Sequence, residues 1–263
     1  MADHVVMNQR EALVEIILNR PDKRNAINWP MMEALHAAII AAEKLAGARV
    51  VLLRGEGSGF SAGIDLLGFQ DAAGEFGDGW RDNLFPLTQA YQAVVSQFER
   101  CSLPVIALLH GYCLGLGMEL ALACDFRLAA EGTKLGLPET RLGIIPDVGG
   151  TTRLAHLVGP ARAKELILTG RSIEAQQAEQ WGMITACVPA DDLPARGAAL
   201  AAEIILAAPL AVSYAKRVIN DLSDTTRGLQ LEAWAQSQLI RTEDFTTGAQ
   251  AMLMKQPADW KGR

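Results

Sequence analysis

The sequence predicts an α/β fold whose strands run parallel. Residues 50–53 and 105–109 are unbroken apolar runs without alternation, the mark of strands buried on both faces. Segments of helical periodicity separate them, so helix and strand alternate at least twice before residue 150, an order that calls for parallel strands joined by helical crossovers. After residue 150 helical patterns dominate. A boundary near residue 195 follows, with 1–195 as an α/β core that carries the site and 196–263 as a helical region.

In chain order, residues 12–18 read as a strand and 19–25 as a polar turn broken by Pro21. Pro30 suits a first helical turn, and Met31, Leu35, Ala38, Ile39, Ala42 and Leu45 recur at helical spacing, which predicts a helix over 30–46. The strand at 50–53 comes next. Gly68, Gly74, Gly77 and Gly79 among acidic residues predict a mobile surface loop over 68–83. A helix over 86–100, the strand at 105–109, a helix over 118–124 and a strand over 126–129 follow. Beyond them, 162–168, 174–181 and nearly all of 193–254 read as helix, with 184–188 alone strand-like. Leu229, Leu231, Trp234, Gln238 and Leu239 carry more apolar surface than a terminal hairpin needs; packing on the chain's own core and packing on another subunit both explain it.

At 263 residues and half hydrophobic, the chain is long enough to bury a full core. Its net charge of −6 and the absence of any Lys/Arg-rich block argue against a nucleic-acid partner. Cys101, Cys113, Cys124 and Cys187 lie in apolar surroundings with no CxxC or Cys/His cluster, so reduced core thiols are expected and no metal site is. No run approaches a membrane span and Met1-Ala2-Asp3-His4 does not open a signal peptide. A soluble, cytoplasmic protein is the expectation.

Two glycine-bearing segments after strand-like runs carry the chemistry: Phe60-Ser61-Ala62-Gly63-Ile64-Asp65 and Gly111-Tyr112-Cys113-Leu114-Gly115-Leu116-Gly117-Met118-Glu119. A dinucleotide loop at 55–59 fails the GxGxxG spacing. Gly59-Phe60-Ser61-Ala62-Gly63 matches the GxSxG nucleophile elbow, but the last histidine, His156, leaves none late in the chain for a triad. The third reading uses the backbone. Sharp turns at Gly63 and at 115–117 would turn the amides of Ile64 and Leu116 outward, two donors suited to a developing oxyanion such as a thioester enolate. A helix starting near Met118 adds a partial positive charge there. Glu119, in an apolar helix, and Glu139, in Leu137-Pro138-Glu139, supply two carboxyls that can move protons beside the same carbonyl. Such a centre needs neither metal nor cofactor.

These motifs, together with 20–28 (RPDKRNAIN), Cys124-Asp125 and Gly149-Gly150-Thr151-Thr152-Arg153-Leu154, resemble in order the enoyl-CoA hydratase/isomerase (crotonase) superfamily over almost the whole chain. The resemblance implies a spiral of β-β-α units closed by C-terminal helices that trimerise, often as a dimer of trimers, and an acyl-CoA thioester as substrate. It implies that the amides of Ile64 and Leu116 hold the thioester oxygen. Ala62 and Asp65 would lie along the CoA adenine with Ala26 nearby, and Lys23 and Arg24 would meet the CoA phosphates unless they are solvated turn charges. Leu116 replaces the glycine often found there, which affects pocket shape and not the N–H. Glu119 and Glu139 match both acidic positions of the hydratases. Asp147 falls where the dienoyl-CoA isomerase branch has a third acid, or it is a turn or cap residue before Gly149-Gly150-Thr151. Hydration of a trans-2-enoyl-CoA is thus the expected activity, dienoyl-CoA isomerisation the alternative, and a non-catalytic acyl-CoA-binding subunit the alternative of another class.

Overall fold

A computed structural model describes residues 4–68 and 84–263; apart from Gly68, the loop expected over 68–83 lies outside the described residues. Strands β1 (Val5–Arg10) and β2 (Leu13–Leu18) form a hairpin, α1 (Trp29–Lys44) leads to β3 (Val50–Gly55), and α2 (Phe85–Arg100) leads to β4 (Val105–Leu109). Then come β5 (Tyr112–Leu114), α3 (Leu116–Leu122), β6 (Phe126–Ala130), β7 (Lys134–Gly136), α4 (Gly150–Thr169), β8 (Ser172–Glu174), α5 (Ala175–Gln180) and β9 (Ala186–Val188). Four helices close the chain: α6 (Leu193–Ile205), α7 (Pro209–Leu222), α8 (Thr226–Leu239) and α9 (Glu243–Met254).

The main sheet has the order β1-β2-β3-β4-β6-β9, and every pair but the β1/β2 hairpin is parallel. The hairpin was not expected. Asn8, Gln9 and Arg10 are exposed, so β1 lacks the apolar pattern that betrays a strand, and Glu11 makes the turn at φ 54°. A second layer consists of β5-β7-β8, continued by single bridges Ser61 to Cys113 and Ile27 to Ile64. After β2, β3, β4 and β6 the chain therefore adds a bridge or short strand to this layer (Ile27, Ser61 with Ile64, β5, β7) and then enters a helix. That is the β-β-α spiral which the family resemblance implies. Three-residue strands carry no readable period, so the second layer was invisible in the sequence.

The apolar runs are explained by burial on two sides. Val51 and Leu53 of β3 face the large core with Leu35 and Ile39 of α1 and Phe98 of α2, while Val50 and Leu52 face Leu193, Leu200 and Ala201 of α6. Helix α6 approaches the sheet closely at Gly197, where a Cβ would sit 2.8 Å from Leu108. The helix α4 is interrupted at Gly159 (φ 79°, ψ 161°) ahead of Pro160, so the 162–168 helix expected from sequence is its second half. Among the described residues no single helix is long and apolar enough to cross a membrane. Of the C-terminal apolar residues, Leu229 and Leu239 are half-buried within this chain, whereas Leu231 and Trp234 are exposed.

Candidate active site

The two glycine turns meet. Gly63 (φ 98°) and Gly115 (φ 51°) both have a positive φ, which glycine adopts freely, and a Cβ added to Gly63 would lie 2.9 Å from the Leu114 carbonyl oxygen and 3.5 Å from the Gly115 Cα. Second-layer pairing brings them there. The Ser61 amide donates to the Tyr112 carbonyl and the Leu114 amide donates back to the Ser61 carbonyl, while Ile27 donates to Gly63 O and Asp65 donates to Ile27 O. Because Gly63 O and Asp65 N–H point at Ile27, the N–H of Ile64 points to the other side of the strand. Leu116 opens α3, two residues earlier than the sequence suggested, so its N–H is one of the four that a helix start leaves without an intrahelical acceptor. Among the described residues, neither amide donates to a backbone acceptor.

One carboxyl lies against this point and belongs to a set of four that feel one another's charge. Glu119, on α3, is 2 % exposed, and its Oε1 accepts from the amides of Val148 (2.8 Å) and Gly150 (2.9 Å). Glu139 opens a single 3₁₀ turn, Glu139–Leu142, and both of its carboxyl oxygens are buried without a partner among the described residues. A Cβ on Gly115 would come within 3.1 Å of Glu139 Oε1, so this acid lies against the second turn. Asp147 accepts from the Thr88 hydroxyl (3.1 Å), and its carbonyl accepts from the Gln92 amide (2.7 Å). It caps no helix: α4 starts from Gly149 with no side-chain cap. Glu232, from α8, accepts from Gly149 N, Thr152 N and the Thr152 hydroxyl.

Burial is the main cause of their common resistance to ionisation. It pushes Glu139 up to about 8 and Asp147 up to about 7, in each case with help from neighbouring negative charge, Glu232 among it. Glu119 is raised well above the usual carboxylate range by burial, then by Glu139, Asp147 and Glu232, against the pull of the Val148 amide. Two or more such groups titrate as one set, and that set keeps at least one proton near neutral pH.

Ser61 is no nucleophile. It is fully buried, donates to the Asn25 carbonyl (2.8 Å) and accepts from the Gly63 amide (3.1 Å), and its Cβ fills the space that a side chain on Gly117 would need. The GxSxG match is therefore a turn-holding serine. Asn25, whose role sequence reasoning missed, ties three segments together: its Oδ1 accepts from Arg20 N, and its Nδ2 donates to Glu56 O and Gly59 O. Asn25→Ala is expected to lower the unfolding free energy by about 2–4 kcal/mol through these buried unmet groups, measurable by urea denaturation.

The residues assigned to CoA line one strip. Ala62 N donates to Arg24 O, while Arg20 reaches both the Ala26 carbonyl and Asp65 (3.1 Å). Asp65 also accepts from Gly68 N (3.2 Å), so its carboxylate is partly engaged within the chain. Lys23 and Arg24 are exposed at the end of a 3₁₀ turn, Pro21–Lys23. Gln92, Thr88 and Glu232 were also unforeseen, because nothing in helical periodicity distinguishes a polar residue aimed at a site from one in solvent.

Known proteins share this arrangement of chain. A family model described as enoyl-CoA hydratase/isomerase matches residues 8–263. The putative enoyl-CoA hydratase/isomerase YngF of Bacillus subtilis is 38% identical over 100% of both chains. The 2,3-dehydroadipyl-CoA hydratase of Escherichia coli is 36% identical, again over 100% of both. Among solved structures, the carnitinyl-CoA hydratase of Mycobacterium avium superposes with a TM-score of 0.86 at 30% identity over 100% of both chains. With matched spiral, touching turns and near-complete coverage, the chain belongs to the enoyl-CoA hydratase/isomerase family.

Proposed function

We propose that this protein is an enoyl-CoA hydratase, adding water across the 2,3 double bond of a trans-2-enoyl-CoA. The observation that carries the reading is Glu139: a buried carboxyl with both oxygens unpartnered among the described residues, set against a glycine turn and beside a second buried acid. An unmet buried acid costs stability, and its retention is explained by work on a substrate. In this reading Ile64 N–H and Leu116 N–H hold the thioester oxygen as it becomes an enolate. Glu119, whose Oε1 is fixed by two amide donors, is the better home for negative charge and takes a proton from the attacking water. The hydroxyl adds to C3. Glu139, which no other described residue meets with a donor, delivers its proton to C2; proton exchange between the two acids resets the site.

Lys23, Arg24, Ala26, Ala62 and Asp65 would line the CoA strip. A trimer or hexamer is part of the same reading, supported by the exposed stripe Leu210, Tyr214, Val218 and Leu222 on α7, which repeats every fourth residue. A cytoplasmic setting suits four free cysteines.

Turnover of a panel of enoyl- and dienoyl-CoA thioesters tests the reading. Hydration of crotonyl-CoA by wild type is expected, and a protein that binds thioesters but converts none would be an acyl-CoA-binding subunit instead. Dienoyl-CoA isomerisation is retained as the second reading because Asp147, half-buried, interacts with the other acids instead of capping α4. Asp147→Asn is expected to leave hydration within roughly threefold. If isomerisation is the activity, the same variant lowers it by about 10²-fold or more, as loss of an acid/base group does.

A further inference from the structure

The chain entering α4 presents its free amides to two different acids by turns. Val148 N and Gly150 N donate to Glu119 Oε1; Gly149 N donates to Glu232 Oε2 (2.7 Å) and Thr152 N to Glu232 Oε1 (2.6 Å), joined by the Thr152 hydroxyl (2.7 Å). One turn therefore orients Glu119, and Glu232 orients that turn. Glu232 is 3 % exposed and reaches in from α8, in the C-terminal helical region. The approach is as close as backbone allows: a Cβ on Gly228 would lie 2.2 Å from the Thr152 hydroxyl oxygen. Gln236 of the same helix accepts from Ile145 N (3.3 Å), so α8 grips the turn at both ends.

We propose that Glu232 is a positioning residue of the acid centre, through which the C-terminal helix α8 sets both the aim of Glu119 and the charge felt by the whole set. The charged groups around it are Glu119 on α3, Glu139 and Asp147 on the turns before α4, and Arg153 on α4, which is itself paired with Glu99 on α2 (2.9 Å). Arg153 also donates to Val148 O (3.1 Å), which holds the same turn from its other side. Burial resists the ionisation of Glu232 as well, but its three donors and a neighbouring guanidinium oppose that effect and favour negative charge on it. Its negative charge raises the other three acids. The sign follows: neutralising it lets them ionise at lower pH.

This inference rests on the hydratase reading for its kinetic arm but has an arm independent of turnover. In Glu232→Gln the highest-titrating glutamate carboxyl signals, followed by carbon NMR of protein labelled with carboxyl-¹³C glutamate, are expected to move to lower pH by on the order of one unit. The kcat for crotonyl-CoA should fall about 10- to 100-fold, from loss of aim, with KM changed by less than roughly threefold. Glu232→Asp keeps the charge but not the reach: kcat should fall similarly while the titration stays where it is in wild type. A folded Glu232→Gln with wild-type titration overturns the inference even in a protein that turns over no thioester. Unfolding of both variants overturns it as well, by assigning Glu232 to the fold alone. If wild type lacks hydratase activity but the titration shifts as stated, the hydratase reading fails and the inference about Glu232 and the acid set stands.

Discussion

Glu139→Gln is expected to lower kcat for crotonyl-CoA hydration by about 10²- to 10⁴-fold, the usual worth of a positioned acid, with KM little changed. The substitution keeps the shape of the side chain and removes only the transferable proton. The same change should stabilise the protein in a pH-dependent way. The folded-state value near 8 lies above the ordinary 4.5, so the fold favours the protonated acid. That contribution is fully present below about pH 4.5 and is lost as pH rises through about 8. Glu139→Gln does not titrate. Its melting temperature should therefore gain on wild type between pH 5 and pH 8, by an amount corresponding to on the order of a few kcal/mol. Parallel activity and melting curves at the two pH values check both halves. An active variant, or one whose stability tracks wild type across that window, would remove Glu139 from the proposed mechanism.

Leu116→Pro is expected to lower kcat by about 10²- to 10³-fold, the cost of deleting one oxyanion donor. Proline is tolerated at the first position of a helix, where the N–H has no intrahelical acceptor, so α3 should persist. The leucine side chain is 4 % exposed, and its loss also costs packing. Leu116→Ala serves as the control, because it truncates the same side chain and keeps the N–H. The ratio of the two kcat values isolates the amide. Equal activity in the proline and alanine variants would mean that this N–H does not touch the reacting oxygen. Gly63 offers no comparable test: any side chain there meets the Leu114 carbonyl and would disturb both turns at once.

The stabilising and destabilising features of the site fall in a consistent pattern. Polar groups that build the turns are satisfied: Asn25 by three bonds, Ser61 by two, Glu232 by three. Glu139 alone among the four acids has no partner for either oxygen among the described residues. Stability is given up at one point that the surrounding bonds hold in place, as expected where a group must be free to meet a substrate.

Much of this was legible in the chain itself. Unbroken apolar runs located β3 and β4, helical periodicity located α1 and α2 to within two residues, and the order of elements required a parallel sheet. Ordered motifs carried the family, and with it the spiral. These are local properties: which residues are apolar, at what period, and where glycine or proline interrupts them. Contact between remote segments is not local, and there the sequence fell short. Three-residue strands and single bridges form only because the main sheet already holds their neighbours in register, so the second layer that joins Gly63 to Gly115 had no signature. Asn25, Glu232 and Thr88 look like ordinary turn and helix residues until packing strips water from them and leaves a backbone amide or a carboxyl as the only partner. The sequence determined which groups could move a proton; the tertiary structure decided which acids lost their water, which were tied by amides and which was left unpaired, because desolvation and hydrogen bonding depend on neighbours from five different elements rather than on the residue itself.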